Sequence, residues 1–114
     1  MNKKPLEVLN EKKLSGIVFV LDYLQIQFDS LVVTFMEYPK VKVNTSDYSF
    51  GASEYRNKIC EFIGKTVSST FYREDDLFSL DFGEGQIFCS LAPEDYTSPE
   101  MVIVDDGNGN IIAV

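Results

Sequence analysis

Histidine is absent from this chain of 114 residues, and basic residues are absent after Arg73. Without an imidazole there is no base that titrates near neutral pH, no Ser-His or Cys-His nucleophile pair, and no histidine ligand for zinc. A phosphate-binding glycine loop is also missing, because the run Gly83, Glu84, Gly85 is too short to form one. We therefore expect a protein that is not an enzyme and that uses no cofactor and no metal.

Cysteine is scarce: Cys60 and Cys89 both have apolar neighbours, and no Cys-x-x-Cys spacing occurs. This favours free thiols in a reducing compartment, with a disulfide as the alternative.

Long apolar runs are missing too. The longest, residues 17–21, is far too short to span a bilayer, and polar residues follow the basic start where a signal peptide would be apolar. We expect a cytoplasmic protein.

Carboxylates are what the chain has in excess. Residues 74–114 contain ten acidic and no basic side chains, a formal charge of −10, whereas residues 1–73 contain ten basic and eight acidic ones, a formal charge of +2. The acidic part is not a disordered tail, because it is also rich in aliphatic and aromatic residues. The net charge of −8 argues against nucleic acid or a membrane as partner. It favours a basic protein, unless the charge serves solubility alone.

Alternation of apolar residues and clusters of turn residues predict an α+β fold. We expect a mostly antiparallel β sheet, or a partly open barrel, of about seven to eight strands, with one main helix at about residues 53–63. The helix is indicated by Tyr55, Ile59 and Ile63 on one face, with Gly64 just past its end. The length fits a single domain, 1–114, in which residues 1–14 are a lead-in segment.

Particular strands are also predicted. The continuous apolar run 17–21 is typical of a strand covered on both faces, whereas residues 24–28 alternate as in a strand with one wet face. Asp22 interrupts the apolar row between them, which predicts a bend or bulge at Asp22 and Tyr23, or else a buried, hydrogen-bonded Asp22. Residues 40–43 are expected at a sheet edge and 44–51 in a polar loop. Residues 101–104 and 111–114 are expected to form a hairpin.

The acidic side chains of predicted connections are candidate partner-binding residues, because charged groups on loops steer association with an oppositely charged protein. They are Glu74, Asp75, Asp76, Glu94, Asp95, Asp105 and Asp106, with Tyr96 as a candidate anchor. The alternative is that these loop tips are unrelated. For 105–110, hairpin turn chemistry explains the composition better than a calcium loop, since the loop lacks the required glycine and the closing glutamate.

Two other classes remain open. One is a small-ligand-binding protein or minimal enzyme with a pocket between helix and sheet, formed by a buried Asp22 with Tyr23, Tyr55 and Arg56. The other is a structural homodimer through the edge strand at 40–43 or the C-terminal edge strand. Among the aromatic residues near predicted loops, Tyr48, Phe50, Tyr72 and Tyr96 are candidates for core edge or for interface anchors.

Three segments resemble a group of small bacterial proteins of uncharacterised function. They are Asp22 to Asp29 with its Asp-Tyr-x-Gln and Phe-Asp pattern, Tyr55-Arg56 with the later Ile63-Gly64, and Pro93 to Glu100. The resemblance covers roughly residues 14–104, and Ser30 departs from the glycine expected after Phe-Asp. Some members resemble proteins whose genes lie beside genes for secreted toxins. The resemblance therefore implies an immunity role, which agrees with an acidic surface that meets a basic nuclease-type toxin.

Overall fold

The computed structural model describes residues 6–92 and 101–114. Within them the chain forms ten strands, one α-helix and one 3-10 helix. The strands are β1 (Leu14–Val20), β2 (Tyr23–Phe28), β3 (Val32–Phe35), β4 (Lys40–Val43), β5 (Ser46–Tyr48), β6 (Ser69–Arg73), β7 (Leu77–Asp81), β8 (Gly85–Ser90), β9 (Val102–Asp105) and β10 (Ile111–Ala113). The α-helix α1 is Tyr55–Cys60, and the 3-10 helix is Leu6–Leu9.

The described strands form two antiparallel sheets of five. The first sheet has the order β1-β2-β3-β9-β10 and the second the order β5-β4-β8-β7-β6. The predicted α+β class and antiparallel pairing are confirmed. The expected barrel is wrong, because the strands separate into two sheets. The expected count of seven to eight strands is also wrong, because the described residues form ten. β5 was missed since its three residues are polar and lie in a segment read as a loop.

The two sheets pack against each other across the core. Leu24, Ile26 and Phe28 alternate with half-buried residues along β2, so one face of the first sheet is buried as the period-two pattern predicts. Phe35 of the first sheet and Phe78 of the second are both fully buried, with ring centroids 5.9 Å apart. This contact places the core between the sheets.

Strand β1 corrects two expectations. Val20 pairs with Tyr23, so Leu21 and Asp22 form a two-residue hairpin turn rather than a bend or bulge, and both are exposed. β1 is an edge strand of the first sheet, and most of its side chains are half-buried rather than covered on both faces. A continuous apolar run therefore marked an edge strand here, so such a run does not by itself show that both faces of a strand are covered.

The position of β4 also differs from prediction. The strand Lys40–Val43 lies inside the second sheet, paired on one side with β5 and on the other with β8, so it is not an edge. β10 is an edge strand of the first sheet, and it pairs with β9 as the predicted hairpin. The lead-in segment packs on the body, since Leu6 and Leu9 are buried.

The helix is shorter than predicted. α1 has six residues, and Glu54 at its N-cap makes no side-chain capping bond. Tyr55 and Ile59 are buried as the helical spacing predicts, whereas Ile63 lies past the end of α1 and is exposed. Gly64 has a φ of +92°, the left-handed conformation expected after the helical turns, and its N–H donates to the Leu14 carbonyl at 2.7 Å. None of the described helices has the length and apolarity that a membrane crossing requires.

Candidate functional site

An exposed acidic turn joins β6 to β7. Its residues are Glu74, Asp75 and Asp76, and all three are exposed. The Asp76 N–H donates to the Arg73 carbonyl at 3.1 Å, and Asp75 has a φ of 61°. Asp76 is also near the Arg73 guanidinium, with Oδ2 3.7 Å from Nη1. Glu74 and Asp75 have no ion-pair partner among the described residues, so their charge is directed at solvent.

The carboxylates of the 105–110 loop have a different role, because they hold the loop together. Asp105 Oδ1 accepts the Gly107 N–H at 2.9 Å. Asp106 accepts the N–H groups of Asn108 and Asn110 at 2.8 and 3.2 Å, and also the Asn110 side-chain amide at 2.8 Å. The Asn110 amide and the Asn108 N–H hold the pKa of Asp106 below its usual range. This is the turn chemistry that the sequence predicts.

The acidic turn and the 105–110 loop lie at different ends of the two packed sheets. Phe35 ends β3 and Lys40 begins β4 after four intervening residues, so these ends of the two sheets are adjacent. Leu77 begins β7 directly after the acidic turn and pairs with Ser90 at the end of β8. Lys40 at the start of β4 pairs with Phe88, which is also near the end of β8. The acidic turn therefore lies at the same end of the second sheet as the start of β4. The 105–110 loop belongs to the opposite end of the first sheet, since Asp105 pairs with Val32 at the start of β3.

The structure therefore does not bring Asp105 and Asp106 together with Glu74, Asp75 and Asp76. The other candidate contacts, Glu94, Asp95 and Tyr96, lie outside the described residues. Among the described residues no cluster of three or more histidine, cysteine or acidic side chains could hold a metal ion.

An aromatic cluster connects three separate parts of the chain, and we define it as Phe19, Tyr38, Phe50 and Tyr55. The Tyr38 ring lies at its centre, with centroid distances of 6.4 Å to Phe19, 3.9 Å to Phe50 and 6.3 Å to Tyr55. The Tyr38 hydroxyl donates to the Val20 carbonyl at 2.6 Å. Phe50 is 49% exposed. The cluster thus presents a rigidly held aromatic ring to solvent.

A cavity of about 250 Å³ opens beside this cluster. Its lining consists of Phe50, Gly51, Ala52, Ser53, Tyr55 and Arg56. Arg56 is exposed, and its guanidinium carbon lies 5.9 Å from the centroid of the Phe19 ring, within cation–π range. The cavity therefore offers one positive charge beside the aromatic rings of Phe50 and Tyr55.

Tyr55 contributes shape rather than chemistry to this cavity. Its side chain is 1% exposed, and its hydroxyl donates to the Pro39 carbonyl at 2.5 Å. Burial raises the pKa of Tyr55 far above its ordinary value, so the hydroxyl stays protonated at neutral pH. The hydroxyl is therefore already engaged with the Pro39 carbonyl, and the ring serves as a wall of the cavity.

Two residues of the predicted pocket are not part of the cavity. Asp22 is exposed in the β1–β2 turn, so the expectation of a buried carboxylate is wrong. Tyr23 begins β2, pairs with Val20 and is half-buried. Neither lines the cavity of Tyr55 and Arg56. The same hairpin instead contributes Phe19 to the aromatic cluster, which the sequence did not indicate because Phe19 and Tyr38 are distant along the chain.

Comparisons with protein-family profiles, curated protein sequences and solved structures gave no match to this chain. Function is therefore inferred from the geometry and charge of the described residues.

Proposed function

We propose that this protein is a cytoplasmic, non-enzymatic binding module that contacts a basic protein through its acidic C-terminal half. The observation that carries the proposal is the acidic turn, where three consecutive carboxylates are exposed and two have no ion-pair partner among the described residues. Charge placed in this way accelerates encounter with a positively charged surface, by roughly 10 to 10³ fold at low salt. The two free cysteines agree with a reducing compartment.

The resemblance to small uncharacterised bacterial proteins, some of which imply an immunity role, suggests a chemical class for the partner. A nuclease-type toxin is basic because it binds nucleic acid, so it meets an acidic inhibitor with complementary charge. Glu74, Asp75 and Asp76 are the proposed steering residues within the described part of the chain. Glu94, Asp95 and Tyr96 remain proposed contacts on the basis of the sequence. Asp105 and Asp106 are weaker candidates, because their carboxylates accept hydrogen bonds inside their own loop.

The proposal is tested by the salt dependence of association with a strongly basic nuclease-type toxin. The rate constant should fall by about tenfold or more between 50 and 300 mM salt, because screening weakens steering. The variant E74Q/D75N/D76N should associate roughly three- to tenfold more slowly at low salt.

A matched control carries the same change in net charge at other exposed acids, E11Q/D29N/D47N. This control should slow association much less than the acidic-turn variant. A rate that is independent of salt would contradict the proposal, as would two triple variants with equal effects.

The cavity supports a second candidate, the binding of a small anionic ligand. Arg56 supplies the positive charge, and the half-exposed ring of Phe50 supplies a stacking surface. Benzoate is a suitable probe, because it combines a carboxylate with an aromatic ring. Titration should shift the amide NMR signals of Ser53 and Arg56 in the wild type and in R73Q, but not in R56Q. Equal shifts in R56Q, or none at millimolar benzoate, would rule this candidate out.

A further inference from the structure

The outer face of the first sheet is almost free of charge. Ile26, Val33 and Val104 belong to a row of buried side chains that crosses neighbouring strands of this sheet. The alternate residues of β1, β2, β3, β9 and β10 point to the opposite side and form the outward rows. We call this surface the uncharged face. Its residues are Val18, Val20, Tyr23, Gln25, Gln27, Val32, Thr34, Ile103, Ile111 and Ala113, each half-buried or exposed. Among the described residues on these rows, Asp105 is the single charged one, and it lies at the end of β9.

The second sheet shows that this composition is not general to the molecule. Its outward rows carry Lys40, Lys42, Asp47, Arg73 and Asp81, which mix both signs of charge. An antiparallel sheet with one face in water normally alternates apolar and polar residues in this manner. The first sheet instead carries β-branched side chains on both of its faces, with Ile111 66% exposed. An outward sheet face with this little charge is unusual for a surface that faces water, and such a face is a candidate interaction site.

We propose that the uncharged face pairs with the same face of a second copy of this chain, which forms a two-fold symmetric dimer. Each copy has a net charge of −8, so two copies repel wherever their carboxylates meet. The uncharged face allows close approach without the desolvation of a row of carboxylates. A charge-steered basic partner would gain nothing at this face, because the face offers it almost no opposite charge.

The polar groups of the face are self-complementary. The Gln25 amide donates to Thr34 Oγ1 at 3.3 Å, and it keeps further donor and acceptor capacity. A side-chain amide can pair with the same amide across a two-fold axis, since it contains both a donor and an acceptor. Symmetric interfaces require this property, because each surface must complement itself.

The area of the face fits a weak dimer. Five strands spaced by about 4.8 Å, with a mean length of about five residues at 3.3 Å per residue, cover roughly 400 Å² per copy. Two copies then bury roughly 800 Å² in total, which is in the range of weak and transient interfaces. We therefore expect a weak dimer that dissociates on dilution.

Sedimentation equilibrium of the full chain tests the proposal with two matched variants. The wild type should move from the monomer mass of 12.9 kDa towards twice that mass as its concentration rises. Q25R places a charge on the uncharged face and should weaken the dimer at least tenfold. Q86R makes the same substitution on an outward position of the second sheet and should leave the dimer unchanged. Thermal unfolding shows whether both variants are folded.

Salt distinguishes this dimer from the proposed contact with a basic protein. Higher salt screens the repulsion between two acidic copies, so the dimer should strengthen, whereas association with a basic protein should weaken. Q25R should retain the basic partner, and E74Q/D75N/D76N should retain the dimer. Either proposal can therefore fail alone.

A second measurement uses the wild type and does not depend on any variant. Dilution should shift the amide NMR signals of β2, β3 and β9 and leave those of β4 and β7 in place. A monomer at all concentrations up to about 1 mM, equal effects of Q25R and Q86R, or dilution shifts on the second sheet would each overturn the proposal.

Discussion

The ring of Phe50 stacks on the ring of Tyr38 with centroids 3.9 Å apart and planes inclined by 27°. Tyr38 lies between β3 and β4, and its hydroxyl bonds the carbonyl of Val20 in the first sheet. Phe50 precedes α1 and also meets Tyr55 edge-on at 5.9 Å. This stack therefore ties the loop before α1 to the β1–β2 hairpin, and it fixes one wall of the cavity beside Arg56.

Removal of the Phe50 ring should cost stability although the ring is half-exposed. We expect F50A to lower the free energy of unfolding by about 1–2 kcal/mol, because an aromatic pair contributes about 0.5–1.5 kcal/mol beyond the area it buries. Phe71 is a matched control, since it is 46% exposed and makes no ring contact within the described residues. F71A should cost less than about 1 kcal/mol. Urea unfolding measures both, and equal losses would contradict the stacking account.

Gly85 occupies a position where a side chain does not fit. A Cβ atom there would lie 2.5 Å from the Lys42 carbonyl oxygen and 2.8 Å from Cζ of Phe62. Since the β4–β8 pairing fixes the carbonyl, we expect G85A to lower the free energy of unfolding by about 1–3 kcal/mol.

Gly16 provides the control for this substitution. A Cβ atom at Gly16 would meet the Oε1 atom of Gln27 at 3.1 Å, the movable end of a side chain. G16A should therefore change stability by less than about 0.5 kcal/mol. Thermal or urea unfolding of both variants is the measurement, and a G85A variant as stable as the wild type would show that β4 and β8 can separate.

Cys89 should be unreactive in the native protein. Burial, followed by the nearby Glu37 carboxylate, raises the pKa of the Cys89 thiol to about 12, so the reactive thiolate is scarce at neutral pH. Cys60 is half-buried and should react first with a thiol reagent. In C60S, the remaining thiol should react only as fast as the protein opens. Rapid labelling of native C60S would contradict this expectation.

The same thiol predicts a loss of stability in alkali. The folded pKa of Cys89 lies above its unfolded value of 9.0. Its contribution is therefore fully present below pH 9 and is lost as the pH rises from 9 towards 12. The variant C89A removes the titrating group, and its free energy of unfolding should fall less steeply over this range than that of the wild type.

Asp106 should titrate below its ordinary range and release its loop in acid. Hydrogen bonds from Asn110 and Asn108 favour the charged carboxylate, so the folded pKa lies below 3.8. Its contribution to stability is present above pH 3.8 and is lost as the pH falls through the folded value. The carboxyl NMR shift of Asp106 should report this titration, and D106A should accelerate amide exchange at Asn108 and Asn110. A midpoint at or above 3.8 would contradict the capping role.

Local backbone features were predictable from the sequence. The β9–β10 hairpin follows from the turn residues of 105–110, the buried face of β2 from period-two alternation, and the left-handed Gly64 from its place after a helical stripe. Each of these depends on residues within about ten positions of one another. Composition alone also fixed the charge asymmetry on either side of Arg73.

The tertiary structure decided the rest. It divided the strands between two sheets, placed β4 inside the second sheet, and separated the acidic turn from the 105–110 loop. It also brought Phe19, Tyr38 and Phe50 into one cluster and left Asp105 as the single charged residue among the described residues on the outward rows of the first sheet. A hydrophobic pattern shows that a residue is covered but not by which strand, because the partner is set by long-range packing of the whole chain.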